Sequence, residues 1–509
     1  MVRFSYPDLP VEIFQRISQD LRKKDRIRLL RVSRSLQQVF LPIVYANITL
    51  IDLPVAVKCI RTMSRVTKYN LPGMVRSLTI SNNRYNTFTY LDFGKFEKKF
   101  LVCLERMDNL RNISVSQLRS CSFHPGLLLA LFRKSSLCSI TLYDAMITNT
   151  NPFSIIPTPD WTIFEQPAPQ MPCLTTLQIS AYRFEEPLRK YLEDLLKRHA
   201  SQLQALFLTA DQIWEFEILK SPVPMPVLTT LELSPSTLGS VAFFEHTPHV
   251  TSLSIYEMDD ERFTGVVPFP SHILPRLEYY NGPSNVLTQT QLLKGHPLLS
   301  TIELDGATFR AESDFTLQDK IISFQPPDWE RVAGVLKQVK GTNVKRVALY
   351  AHELDIDRWE AVAPYAEKVE HFKVYLSDDW YGTVDYLAPR VFSHIPDLKS
   401  FLMSDYPRFR WVDDDFGRFE ESLSTDVQQD ILDAWEHAMS SEDMAGKWKL
   451  EKAAFTSLFT WEKQKDGTWV AGAASKNKNM WHNYEGTDEE DSGRSVKNSD
   501  DEESDDDSE

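Results

Sequence analysis

Leu174-Thr-Thr-Leu-Gln-Ile-Ser180 sets the pattern on which most of this 509-residue chain is built. Apolar residues stand at 174, 177 and 179, with polar residues between them. The alternation reads as a short strand with one buried face, and the leading leucine plugs the turn that enters it. The same apolar-x-x-apolar-x-apolar spacing occurs upstream as Val75/Leu78/Ile80, Leu110/Ile113/Val115 and Leu137/Ile140/Leu142. Downstream it recurs as Leu203/Leu206/Leu208, Leu228/Leu231/Leu233, Val250/Leu253/Ile255 and Leu299/Ile302/Leu304. Weaker copies follow at Val344/Val347/Leu349, Val369/Phe372/Val374 and Leu398/Phe401/Met403, and a degenerate one sits at Leu277/Tyr280.

Successive copies start 22 to 45 residues apart, most of them 22 to 29. That is the period of about 20–29 residues found in leucine-rich repeats. Helix-like segments lie between copies: Phe93–Met107, Glu185–His199, Trp329–Val339 and Asp357–Lys368. Glu185–His199 carries Leu188, Leu192, Leu195 and Leu196 on one stripe. Strand plus helix, repeated, predicts an α/β fold: a curved solenoid with parallel strands on the concave face and helices on the convex one. An ordinary α/β domain is the competing reading, and twelve copies in order favour the solenoid. Three insertions interrupt the period: proline-rich Thr148–Pro172, read as an extended surface loop with Trp161 and Phe164, then Gly306–Asp328 and Asp405–Ser424.

The two ends follow other patterns. Leu9–Ile48 reads LPVEIFQRISQDLRKKDRIRLLRVSRSLQQVFLPIVYANI. Leu9-Pro10 opens a helix, and Ile13, Ile17 and Leu21 recur along one stripe of it. Asp25 is placed to cap a second helix. Ser33 is placed to cap a third, carrying Leu36, Val39 and Phe40 and ending near Pro42. So small a unit leans on a neighbour or a partner. Near the C-terminus, Asp426–Met439 is a helix with Ile431, Trp435 and Met439 on one side, a terminal cap. Ala453–Ala473 reads as a hairpin turning at Asp466-Gly467. Composition predicts disorder from 474 onward. The expected division is 1–50, 51–424, 425–473 and 474–509.

The net charge of −15 is uneven, because Glu485–Glu509 alone carries 13 acids against two bases. Arg22, Lys23, Lys24, Arg26, Arg28, Arg31 and Arg34 cluster in the N-terminal module. With no aromatics interleaved for stacking, a solvated helix face is favoured over a nucleic-acid patch. The longest apolar run, Leu127–Phe132, is too short to cross a membrane, and MVRFSYPDLP lacks a secretory signal layout. Five separated cysteines, Cys59, Cys103, Cys121, Cys138 and Cys173, read as reduced and mostly buried thiols of a cytoplasmic or nuclear protein. No phosphate-binding loop, nucleophile elbow or metal motif occurs. His199, His246, His249, His352 and His371 are scattered without catalytic partners at useful spacing, so no catalytic residue, metal, cofactor or small-molecule substrate is assigned.

The N-terminal stretch resembles the F-box, the module that docks substrate receptors onto the Skp-type adaptor of SCF ubiquitin ligases. The matching residues are Leu9-Pro10, Glu12-Ile13-Phe14, Ile17, Leu21, Asp25, Leu29, Val32-Ser33-Arg34 and Tyr45. Its junction to loose leucine-rich repeats looks like the fungal members of that group. The resemblance implies adaptor contacts at Leu9, Pro10, Ile13, Phe14, Ile17, Leu21, Leu29, Val32 and Leu36, and through the adaptor a cullin-RING ligase. The solenoid would then hold a target protein. Its concave face carries the residues between the leucines, small hydroxyls in the early copies and bases and aromatics in the later ones. Since Arg and aromatics dominate binding hot spots, the expected target contacts are Tyr256, Glu303, Arg346, Tyr350, His371, Lys373 and Tyr375, with Arg410 and Trp411 of the last insertion. A scaffold acting outside any ligase, and a repeat protein that uses its acidic tail on a basic partner, are the alternatives.

Overall fold

Each copy of the motif forms a strand, and the strands stack in sequence order. In the computed structural model they are β1 (Asn47–Leu50), β2 (Ser77–Ser81), β3 (Asn112–Ser116), β4 (Ser139–Tyr143), β5 (Thr176–Ser180) and β6 (Ala205–Thr209). Next come β7 (Thr230–Leu233), β8 (Ser252–Ile255), β9 (Tyr279–Gly282), β10 (Thr301–Leu304), β11 (Arg346–Ala351) and β12 (His371–Leu376). Last are β13 (Ser400–Asp405), β14 (Lys452–Ala454), β15 (Phe459–Lys463) and β16 (Trp469–Ala473). All sixteen join one sheet in the order β1 to β16. Pairing is parallel from β1 through β14 and antiparallel for β14–β15 and β15–β16. The chain is therefore an α/β protein built on a long parallel sheet of solenoid type.

The structure describes residues 11–50, 53–65, 69–81, 90–116, 125–143, 161–180, 186–209, 222–233, 241–255, 268–304, 329–351, 355–376, 384–405, 424–440, 448–455 and 459–473. Insertion 306–328, nearly all of 405–424, and the acidic segment from 474 lie outside the described residues.

Register puts equivalent motif positions side by side. Ile113 aligns with Leu78 and Ile140, Leu206 with Leu177 and Leu231, and Phe372 with Val347 and Phe401. The leading apolar residues, from Val75 to Leu398, are buried as well. Leu277/Tyr280 belongs to the same column, and its third place is Gly282. There φ is +153°, and a Cβ would meet the Ile255 carbonyl oxygen at 2.9 Å. Two copies escaped the sequence reading: Tyr45/Ile48/Leu50 supplies β1, and Leu450/Ala453/Phe455 supplies β14.

A turn precedes most of the parallel strands. In ten copies the leading residue donates its N–H to the carbonyl three residues back, as Leu174 to Met171 (3.1 Å) and Leu398 to Ile395 (3.1 Å). Six of these turns hold proline in second place: Pro172, Pro226, Pro248, Pro275, Pro297 and Pro396. Its fixed φ suits that place, and its missing N–H is not needed there. The first turn residue is usually buried (Met107, Met171, Met225, Ile395). In one copy it is His296, whose ring nitrogens face the Leu292 and Ile273 carbonyls at 2.8 and 2.6 Å.

Helices cover one side of the sheet. Tyr90–Glu105, Glu186–His199, Trp329–Val339 and Ile356–Val362 lie where helical patterning placed them, and Leu188, Leu192, Leu195 and Leu196 are buried. The proline-rich insertion departs from expectation. From Trp161 it is packed rather than exposed, because Phe164 stands edge-on to Tyr191 (5.1 Å) and Asp194 accepts the Ala168 N–H (2.9 Å). The thiols also differ from expectation: of the four described, only Cys103 is buried, while Cys173, the third residue of a turn, is exposed.

The C-terminal end is closed by helix Thr425–Met439, which buries Ile431, Leu432, Trp435 and Met439. Trp435 donates to the Val384 carbonyl (3.0 Å), and Trp461 of β15 donates to buried Gln428 (2.8 Å). One oxygen of Glu436 accepts from Trp448 (3.0 Å), Lys463 (2.7 Å) and Trp469 (3.2 Å), tying β15 and β16 to that helix.

Leu231 is fully buried in the middle of the leucine column, whereas Thr230 lies on the opposite face. Leu231→Ala is expected to destabilise by about 2–5 kcal/mol through transfer loss and a cavity. Thr230→Ala should shift the urea midpoint far less, as followed by circular dichroism.

Candidate protein-interaction surfaces

Two surfaces concentrate the residues that the sequence singled out. The first is formed by α1 (Val11–Asp20), α2 (Lys23–Leu29) and α3 (Arg34–Ala46). Their own core is small: Phe14, Leu36 and Phe40, with the Phe14 and Phe40 rings edge-on at 5.9 Å. Ser33 caps α3 through its hydroxyl, which accepts the Leu36 N–H at 3.1 Å. α3 then runs through Pro42 to Ala46 rather than stopping at the proline. Leu41 and Tyr45, on that continued turn, join the core of the sheet and hold it in place. Asp25 is not the cap of α2. It lies in the first turn and accepts from Arg22 (3.4 Å) and Arg28 (3.1 Å) instead.

Helical spacing in α1 separates two faces. Phe14 and Ser18 point inward, while Ile13 and Ile17 are 43 % and 42 % exposed. Ile27 (39 %) and Val32 (67 %) are exposed beside them in sequence. Of the nine residues expected to touch an adaptor, Ile13, Ile17 and Val32 thus face solvent. Phe14 and Leu36 are instead the module's own core, a correction that follows from its having almost no other large side chains to bury. Leu21 and Leu29 are half-buried against them, and Leu9 and Pro10 lie outside the described residues.

The second surface is the side of the sheet away from the helices, over β9 to β14. Glu303 of β10 is 1 % exposed and accepts a hydrogen bond from the Tyr279 hydroxyl at 2.7 Å. In register, only Ala348 separates Glu303 from Lys373. Burial pushes the Lys373 ammonium below its ordinary range, and Glu303 pulls it partly back. His371 Nδ1 stands 2.8 Å from the Ser400 hydroxyl. Burial, and then Arg346, hold that imidazole below its usual range. Tyr350 and Tyr375 occupy paired positions on β11 and β12, while Tyr256, Arg410 and Trp411 lie outside the described residues.

Sequence reasoning missed Tyr279, Ser400 and the charge ladder that enters these strands. Lys345 (2.5 Å) and Lys399 (2.7 Å) both bind Glu370 between them. The signal was present: a charged residue directly before the strand in successive copies. Among the described residues no three His, Cys, Asp or Glu side chains gather as a metal site, and no helix is long and apolar enough to cross a membrane.

No protein-family model matches the chain, and no curated protein matches it. Among solved structures it is similar to one described as "Crystal structure of TLR13-ssRNA13 complex", at 14 % identity and a TM-score of 0.30. That match covers 65 % of this chain and spans only 36 % of the other.

Hydrogen bonds from Lys345 and Lys399 hold the Glu370 carboxyl at about 2, against an ordinary 4.5. A lowered folded-state value means the pairs stabilise above the ordinary range, and that this contribution drains away as pH falls through the window. Glu370→Gln should therefore lose about 1 kcal/mol near neutral pH. Its urea midpoint should converge with that of the parent chain as the solution approaches about pH 2.

Proposed function

We propose that the chain is a substrate receptor of an SCF-type ubiquitin ligase, with the N-terminal helices holding a Skp-type adaptor and the solenoid holding a target protein. The observation that carries this reading is the outward placement of Ile13, Ile17, Ile27 and Val32 on helices whose own core is three residues. Exposed apolar side chains on so small a unit are what a second protein covers. The order Ile13-Phe14, Ile17, Asp25, Leu29 and Val32-Ser33-Arg34 supports the F-box resemblance. No catalytic residue is assigned, and the receptor's contribution is effective concentration of the target near the ubiquitin-loaded enzyme. In this reading the target sits against the strand face at β9–β13, where Arg346 is exposed beside the buried Glu303 and the half-buried Lys373. Its working compartment is the cytoplasm or the nucleus.

A second reading keeps the adaptor and omits the ligase, leaving a repeat scaffold for protein–protein association. Affinity purification separates the two, because a cullin co-purifies only in the first.

Ile13→Asp with Val32→Asp should abolish adaptor retention at micromolar concentration while leaving the thermal midpoint unchanged, since both side chains are exposed. Arg346→Glu should leave adaptor retention intact and weaken target capture. Unimpaired adaptor binding by the double variant refutes the assignment.

A further inference from the structure

Two of the five cysteines meet on the strand-entry edge of the sheet, away from both candidate surfaces. Cys138 stands just before β4, and the N–H groups of Thr175 and Thr176 both donate to its carbonyl (2.8 and 3.0 Å). The Thr175 hydroxyl does so as well (3.2 Å). Cys173 lies two residues ahead of Thr175, in the turn Met171-Pro172-Cys173-Leu174. Gln202 of the following repeat clamps that turn by donating to the Met171 and Leu174 carbonyls (2.7 and 3.0 Å). The third turn position reaches back over the preceding repeat. One copy earlier it is Ser136, whose hydroxyl donates to the Leu110 carbonyl (2.8 Å). The same reach from Cys173 ends beside Leu137-Cys138, and the two thiols are in side-chain hydrogen-bond contact.

Cys173 is exposed and Cys138 half-buried, so solvent reaches the pair. Burial, and then the neighbouring Cys173, push the Cys138 thiol above its ordinary range, and the Arg111 guanidinium opposes them. Cys59 and Cys103 also lie near each other, but Cys103 is fully buried and donates to the Ile60 carbonyl (3.4 Å). Burial pushes that thiol up to about 12. A thiol so held is inert to an oxidant arriving from solvent.

From this geometry we infer that Cys138 and Cys173 are an oxidation site, at which hydrogen peroxide forms a reversible disulfide between neighbouring repeats. The Cys173 sulfur attacks the peroxide as thiolate. An S–O bond forms, the O–O bond breaks, and the departing hydroxide takes up a proton. The Cys138 thiol then attacks the Cys173 sulfenic acid. The S–S bond forms, the S–O bond breaks, and the displaced oxygen leaves as water with the Cys138 proton. Two thiols thus give up two electrons and two protons, and the peroxide becomes two waters. Both backbones are already pinned by the hydrogen bonds above, so the sulfurs close by side-chain rotation. The bond encloses the proline-rich insertion Thr148–Pro172 in a covalent loop, which restricts the unfolded chain. Exposure of Cys173 leaves its sulfur open to attack by a reducing thiol, so the bond is reversible.

The test uses the full-length chain, reduced, exposed to hydrogen peroxide in slight excess and quenched with N-ethylmaleimide. Chymotrypsin then separates the two cysteines for mass spectrometry. The expected product is a Cys138–Cys173 disulfide within a single chain, with Cys59 and Cys103 alkylated, and dithiothreitol restores all five thiols. Cys173→Ser, an exposed substitution, should slow the loss of free thiols about ten-fold. Cys138→Ser should leave the Cys173 sulfenic acid unresolved, so that dimedone labels it. The oxidised parent chain should melt at a higher temperature than the reduced one, a difference absent from both variants. Peroxide-driven bonds through Cys59, Cys103 or Cys121, dimers joined between chains, or thiol loss as fast in Cys173→Ser as in the parent overturns the inference. So does a Cys138–Cys173 bond that lowers the melting temperature, because the repeats would then have to distort to form it.

Discussion

Twelve backbone carbonyls hold this molecule in register. Each belongs to the residue just after the leading apolar one, and each accepts two N–H groups from the next repeat. Arg76 receives Arg111 and Asn112, Arg111 receives Cys138 and Ser139, Cys138 receives Thr175 and Thr176, and so on to Lys399, which receives Glu451 and Lys452. The distances stay between 2.7 and 3.1 Å throughout. A carbonyl oxygen has two lone pairs, and here both are used at the place where the chain turns from helix side to strand. The hydroxyls of Thr175, Thr229 and Thr251 reach back to the same oxygens, which explains threonine in positions that face no core. Buried leucines supply the free energy, and the shared carbonyls fix which leucine lies against which.

The same constraint explains what was legible in the amino-acid sequence. A strand of four or five residues with two buried positions leaves a period-two trace, and the leading residue adds a third mark, so β2 to β13 could be placed from spacing alone. Tyr45/Ile48/Leu50 and Leu450/Ala453/Phe455 obey the spacing too. They were obscured because each borders a differently patterned segment, the long α3 on one side and the β15–β16 pair on the other. The buried residue and proline that open the turn were equally visible in Met171-Pro172 or Ile395-Pro396. Their meaning emerges only when the hydrogen bond to the leading residue is known.

The candidate surfaces were less legible. Periodicity divides a helix into faces but does not say which face a partner covers, so Phe14 and Leu36 were grouped with Ile13 and Ile17 although they point the other way. On the strand face, spacing shows which side chains leave the core. It does not show that Ala348 lets Glu303 and Lys373 approach across a strand, or that Tyr279 supplies a hydroxyl to the same carboxylate. Those relations come from register between copies far apart in sequence.

A stack in which every unit offers the same acceptor to its successor has no built-in reason to stop. With both ends bare, the last unit of one molecule would suit the first unit of another, and copies would string together into filaments. The reversal of direction at β15 removes one half of that match. The Glu451 carbonyl, which a further parallel strand would have taken, accepts the Lys463 N–H of an antiparallel strand instead (2.8 Å). At the other end α3 and the helix Leu53–Ser64 lie against β1. Head-to-tail polymerisation is thus blocked by local strand geometry at one end and by helices at the other.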